Sequence, residues 1–176
     1  MRIFAAMPLP SDTLEAVSAW MEVERLRFPG LRWVRPGQVH LTLRFLGDVP
    51  ASIVSELEKT VEGMDIPPVG FTLDSTGCFR AGGAGLPSVY WIGGHFGPEA
   101  ARMAAELGRI RDDRGRQEKP GRFTPHLTVA RQGRFDGEAR LSRPGPWSGE
   151  LRRLVVYNST LSSSGSSYEE LYSRGR

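Results

Sequence analysis

The sequence predicts an α+β fold of two similar lobes, each giving one histidine-bearing strand to a shared cleft. Three observations carry this. The words His-Leu-Thr-aliphatic occur twice, at His40–Leu43 and His126–Val129, 86 residues apart. Each half of the chain holds alternating, β-branched runs and helix-period runs in turn. The helices and strands interleave without a clean βαβ rhythm and without a glycine-rich first turn, which argues against a doubly wound nucleotide fold.

Taken in order, "MRIFAAMPLP" opens with a short apolar strand that ends at Pro8 and Pro10. Asp12, with Glu15 three residues on, offers a capping box for a first helix. Leu14, Val17 and Met21 share one face of it, and it ends near Phe28-Pro29-Gly30. The first motif strand runs from Val39 to Leu46. Pro50 opens a second helix with Ile53, Leu57 and Val61 on one face and Gly63 near its end. "GFTLDSTGCF" and "SVYWIGG" read as strands, with "RAGGAGLP" as a flexible turn between them. Pro98 opens a third helix, in which Ala100, Met103, Leu107 and Ile110 keep helical spacing. The polar run 111–122 reads as a solvated, mobile connection, and Arg114, Arg116 and Arg122 in it are candidates for gripping a substrate. The second motif strand runs from Thr124 to Arg131. "LRRLVVYNSTL" is a late strand, and "SSYEELYS" a last strand or short turn.

The bulk numbers exclude several classes. The chain's 176 residues, 39% hydrophobic and 24% charged, suit one soluble globular domain over 1–176 with a real core. The first apolar run, Ile3–Met7, is too short for a secretion signal, and no stretch approaches the ~18 apolar residues of a membrane span. A cytoplasmic protein is expected. Cys78 is the single cysteine, so no intrachain disulfide can form, and it reads as a small buried apolar residue. The net charge is +3, and Lys59 and Lys119 are the only lysines. Arginine's planar fork suits phosphate, so a nucleic-acid or nucleotide partner is permitted.

Strand alternation gives the two motifs their chemistry. His40, Thr42 and Arg44 fall on one face, and Leu41, Leu43 and Phe45 on the other. In the second copy His126 and Thr128 share a face, opposite Leu127 and Val129. Two imidazoles with ordinary pKa near 6.5 can move protons at neutral pH, and each such role is worth ~10²–10⁴ in rate. Threonine hydroxyls can donate to the non-bridging oxygens of a phosphate, and Arg44 can add a charge-assisted contact. The set suits phosphodiester chemistry. His95 has no such company and reads as a loop histidine. No HExxH, HxH or CxxC pattern and no P-loop occurs, so neither a metal, another cofactor nor ATP hydrolysis is expected; a site from His40, His126, His95 and Cys78 is the metal rival.

These residues resemble the two-histidine (2H) phosphoesterase superfamily, marked by paired His-x-Thr/Ser-x motifs. More narrowly, "RIFAAMPLP", "LRWVRPGQVHLTLRFLGDV", "FTPHLTVAR" and "NSTLSSSGSSYEEL" are similar to blocks of the bacterial and archaeal RNA 2′,3′-cyclic phosphodiesterase family, historically named 2′-5′ RNA ligase. The resemblance implies a bilobal fold, antiparallel sheets with helices outside and a central cleft. It implies metal-independent opening of a 2′,3′-cyclic phosphate on RNA or a nucleotide to a 2′-phosphate. His40 and His126 would be the catalytic pair, with His40 protonating the departing O3′ and His126 activating water; the residues themselves leave that assignment open. Thr42 and Thr128 would bind phosphate. Phe45 matches a base-stacking position and Arg131 a phosphate-side one, though alternation turns both away from the histidines unless a bulge or strand end intervenes. Tyr168 matches the closing block without a derivable role. Hydrolysis should dominate over reverse 2′-5′ ligation, since the cyclic ester is strained. The alternatives are a small cyclic nucleotide such as ADP-ribose 1″,2″-cyclic phosphate as substrate, or a non-catalytic RNA-binding module. A monomer is expected.

Overall fold

The computed structural model describes residues 1–81, 85–119, 121–135, 137–162 and 165–175. Its elements follow the apolar periods closely. β1 (Arg2–Pro8) leads into α1 (Ser11–Arg27), a two-residue β2 (Arg32–Trp33), a 3-10 turn at Pro36–Gln38 and β3 (His40–Asp48). Then come α2 (Ala51–Gly63), β4 (Val69–Arg80), β5 (Pro87–Phe96) and α3 (Pro98–Leu107). β6 (Leu127–Arg131), β7 (Trp147–Leu151), β8 (Arg153–Ser162) and β9 (Gly165–Gly175) complete the chain.

The strands form one antiparallel sheet in the order β7-β4-β5-β6-β3-β1-β8-β9, with β2 added on β6. The α+β class and the antiparallel sheet are as expected. The two expected lobes are two halves of this sheet, β7-β4-β5-β6 and β3-β1-β8-β9, joined at its centre. The join is a single backbone pairing, Leu41 opposite Leu127, so the two motif strands are neighbours. Leu41 and Leu127 are both fully buried, as are Ile3, Ala5, Met7 and Val129. They form one core with Val17 and Met21 of α1, Leu57 and Val61 of α2, and Met103 and Leu107 of α3. Burying these side chains is the main favourable term in the fold.

Some local expectations differ. Asp12 does not cap α1: the cap is Pro10, and Asp12 sits inside the first turn, its Oδ1 accepting the Thr13 N–H at 2.7 Å. His95 is not in a loop but is exposed on β5, opposite Thr72. Cys78 is half-buried on β4. The expected turn at 80–87 has its middle, 82–84, outside the described residues. Segment 111–118 is not a loose connection. The Asp112 carboxylate accepts from the Arg114 and Arg116 backbone N–H groups and from the Arg116 guanidinium, and these bonds hold its pKa down near 2. The Asp113 N–H donates to the Leu46 carbonyl at 2.8 Å, tying the segment to β3.

Candidate active site

The sheet centre brings the two motifs together. Antiparallel register about Leu41 and Leu127 sets His40 across from Thr128, and Thr42 across from His126. With both leucines in the core, all four polar side chains fall on the other face. The histidines occupy the diagonal of this square, where such neighbours lie about 7–8 Å apart. Each is close enough for the His126 charge to bear on the titration of His40.

Both imidazoles are held the same way. His40 Nδ1 lies 2.7 Å from the Gln38 carbonyl oxygen, and His126 Nδ1 lies 2.7 Å from that of Thr124, in each case two residues back. A carbonyl only accepts, so Nδ1 carries the hydrogen and donates it. Nε2 is then the nitrogen left to take or give a proton. Burial lowers the pKa of His40 to about 4, an effect opposed by the Gln38 bond and aided by the His126 charge. Burial also lowers His126, aided by the nearby Arg131 charge. Both rings are therefore neutral at pH 7 in the free protein. Aromatic neighbours supply the burial. Phe4 stacks on His40 at 5.0 Å between centroids, and Tyr168 meets it edge-on at 5.6 Å. Phe79 meets His126 edge-on at 4.7 Å.

A break in alternation completes the site. Opposite β1, Thr42 pairs with Ala6 and Arg44 with Ala5, so Leu43 is an extra residue. Opposite β5, Thr128 pairs with Trp91 and Ala130 with Tyr90, so Val129 is an extra residue too. The same bulge thus follows the same Thr in both motifs. It turns the next residue toward the core and the one after it toward the histidines. Phe45 and Arg131, each five residues past its histidine, accordingly face a cavity of about 220 Å³. His40, Thr42, Arg2, Phe4 and Tyr168 also line it, with Ser159, Leu161 and Ser166 at its β8–β9 side.

Arg44 is the correction. The bulge sends it to the opposite side of the sheet, where it is 5% exposed. Its guanidinium donates to Glu118 at 2.7 Å and to the carbonyls of Ile110 and Arg116 at 2.9 and 3.0 Å. It does not line the cavity and cannot contact a phosphate there; it straps the segment leading to His126 onto β3. Arg114 and Arg116 belong to that strapped segment as well. Arg2 and Phe4 went unread because nothing in a first strand marks them, although they alternate with core residues Ile3 and Ala5. Among the described residues, no group of three His, Cys, Asp or Glu side chains is arranged to hold a metal ion. No helix among the described residues is long and apolar enough to cross a membrane.

Comparison with known proteins points the same way. Residues 7–85 match the family of LigT-like phosphoesterases. The chain is 29% identical to the RNA 2′,3′-cyclic phosphodiesterase of Aquifex aeolicus, over 82% of each chain. It is 28% identical to the protein of that name from Thermotoga maritima, over 98% of this chain and 94% of that one. In structure it resembles E. coli LigT complexed with 3′-AMP, with a TM-score of 0.78 and 26% identity over 99% of this chain and 96% of that one. The resemblance carried by the paired motifs therefore holds in sequence and in fold.

Proposed function

We propose that this chain, a LigT-like phosphoesterase in motif, sequence and fold, opens 2′,3′-cyclic phosphate ends of RNA or nucleotides to 2′-phosphates, with His40 and His126 as its general acid–base pair. One imidazole takes a proton from water as the water oxygen attacks phosphorus. The P–O3′ bond breaks, and the other imidazole gives its proton to the departing O3′, leaving a 2′-phosphate and a 3′-hydroxyl. Thr42 and Thr128 donate to the non-bridging oxygens, where negative charge grows. Arg131 adds positive charge beside His126, and Phe45 offers its exposed ring to a base. The reaction needs no metal ion. With an RNA 5′-hydroxyl attacking phosphorus in place of water, the same pair joins the two ends in a 2′-5′ phosphodiester, with O3′ again the leaving group.

The observation that carries this reading is the matched fixing of two imidazoles on adjoining strands. Each has its Nδ1 committed to a backbone carbonyl, and diagonal cross-strand neighbours such as these lie about 7–8 Å apart, which supports their acting on one phosphorus. The names of the relatives, and the 3′-AMP in one solved structure, support the substrate class. The test is direct. Purified protein in EDTA should convert 2′,3′-cyclic AMP, or a cyclic-ended oligonucleotide, to the 2′-phosphate. His40→Ala and His126→Ala should each lose at least ~10²-fold, and the double variant little more, because the two act as a unit. Full activity in either single variant overturns the mechanism, and activity lost in EDTA but restored by zinc overturns the metal-free chemistry.

A further inference from the structure

The cavity holds one cation that neither motif supplies. Arg2 and Phe4 share the concave face of β1, with the fully buried Ile3 turned to the core between them. Phe4 packs its ring on His40, so Arg2 stands two residues further from the reacting centre, about 7 Å along the strand. That is too far to serve the phosphorus between the histidines and near enough to serve the next phosphate of a chain. The Arg2 guanidinium lies over the Phe45 ring, 4.8 Å from its centroid. This fixes the plane of the fork and leaves its N–H edges to the cavity. Its ion-pair partner, Asp48, is 3.6 Å away, beyond hydrogen-bond length, and its side chain is 70% exposed. Tyr168 feels the positive charge of both Arg131 and Arg2, so the two cations border one stretch of cavity wall.

We infer that Arg2 holds the phosphodiester one nucleotide upstream of the cyclic end, making a cyclic-ended oligonucleotide a better substrate than a free cyclic nucleotide. The inference rests on the cyclic phosphodiesterase reading of the same site. A 2′,3′-cyclic mononucleotide has no phosphate at that place. An oligonucleotide does, and its terminal base lies beside the half-exposed Phe45, a cation-and-aromatic pattern that holds single strands.

The experiment compares kcat/KM for 2′,3′-cyclic AMP and for a cyclic-ended trinucleotide, in the full chain and in Arg2→Ala, Arg2→Lys and Asp48→Asn. The wild type should favour the trinucleotide. In Arg2→Ala that preference should shrink about tenfold, the worth of one charge-assisted contact, and Arg2→Lys should restore part of it. The fall of kcat/KM for the trinucleotide with log salt should become shallower by about 0.7, one single-strand phosphate contact fewer. Asp48→Asn should keep or enlarge the preference. If Asp48→Asn instead copies Arg2→Ala, the arginine acts through its ion pair and the inference fails. It also fails if the wild type opens both substrates equally well, or if Arg2→Ala slows both by the same factor; the cyclic phosphodiesterase reading stands in either case. A wild type that opens neither substrate overturns that reading and this one with it.

Discussion

In the proposed mechanism, a histidine that gives a proton is held in surroundings that favour its neutral form. Burial lowers His40 to about 4 and moves His126 below its ordinary 6.5. The proposed reaction nevertheless requires one of the pair to be protonated for O3′ to leave as an alcohol. In that proposal the substrate phosphate resolves this, because its negative charge favours both imidazolium forms and opposes the burial effect. The sign has a kinetic consequence. The pH profile of kcat/KM reports the free protein, and that of kcat the substrate complex. The kcat/KM bell should therefore peak below pH 6.5, between the two lowered values. The kcat bell should sit at higher pH, where the phosphate has pulled both groups up. Measuring the two profiles on one cyclic nucleotide decides this, and a kcat/KM optimum at pH 7 or above contradicts it.

At the scale of the strand, one extra residue does what sequence alternation cannot. Period-2 reading places Arg44 with His40 and turns Phe45 and Arg131 away. The bulges at Leu43 and Val129 reverse all three, and the burial of the two hexapeptides from His40 and His126 runs identically as a result. β3 is shifted again at Leu46, before Gly47, whose φ of +75° favours glycine. A Cβ there would also lie 2.1 Å from Asp113 Oδ2, so the strand end and the 111–118 segment meet only over a missing side chain. Gly47→Ala should cost about 2 kcal/mol or more in denaturant unfolding. Gly37→Ala, with nothing within 4 Å of its Cβ, should stay within about 0.5 kcal/mol. Equal effects would remove the close-approach argument. The same scale explains what was legible. His40, Thr42, His126 and Thr128 were readable because repetition and alternation both act on adjacent residues. The bulges were not, since an extra residue shows only against its partner strand. β7 was missed because Trp147–Leu151 is five residues long with Gly149 at its middle, too weak a pattern to stand apart from a loop.

For the whole molecule, the sheet reads the same outward from its centre in both directions. β6 and β3 carry the motifs, and β5 and β1 flank them. β4 and β8 follow, where Phe79 stands in register to Arg131 through Val89 as Tyr157 stands to Phe45 through Phe4. The duplicated motif announced two related halves, but nothing in either half announced that they share one sheet. For the proposed mechanism that continuity matters, because the backbone pairing at Leu41 and Leu127 sets the two imidazoles relative to each other. Two further ties cross the centre: β2 lies on β6, and Arg44 of β3 binds the segment that runs on toward His126. Arg44 then acts as a positioning residue, and its energetics are asymmetric. The Glu118 side chain is 48% exposed, so water can replace its partner, and the ion pair itself contributes little. The carbonyl of Ile110 lies inside and has no such recourse, whereas that of Arg116 is only partly buried and also accepts from the Asp112 N–H. Arg44→Met should therefore destabilise by about 2–4 kcal/mol, while Glu118→Gln should cost less than about 1 kcal/mol. Arg44→Met should also lower kcat more than it raises KM, since it loosens the approach to His126 without touching the cavity. Urea unfolding and steady-state kinetics on both variants separate the cases. Equal losses in the two would place the strength of the strap in the ion pair and not in the carbonyls, and an unchanged kcat in a folded Arg44→Met protein would show that the two halves hold their histidines without it.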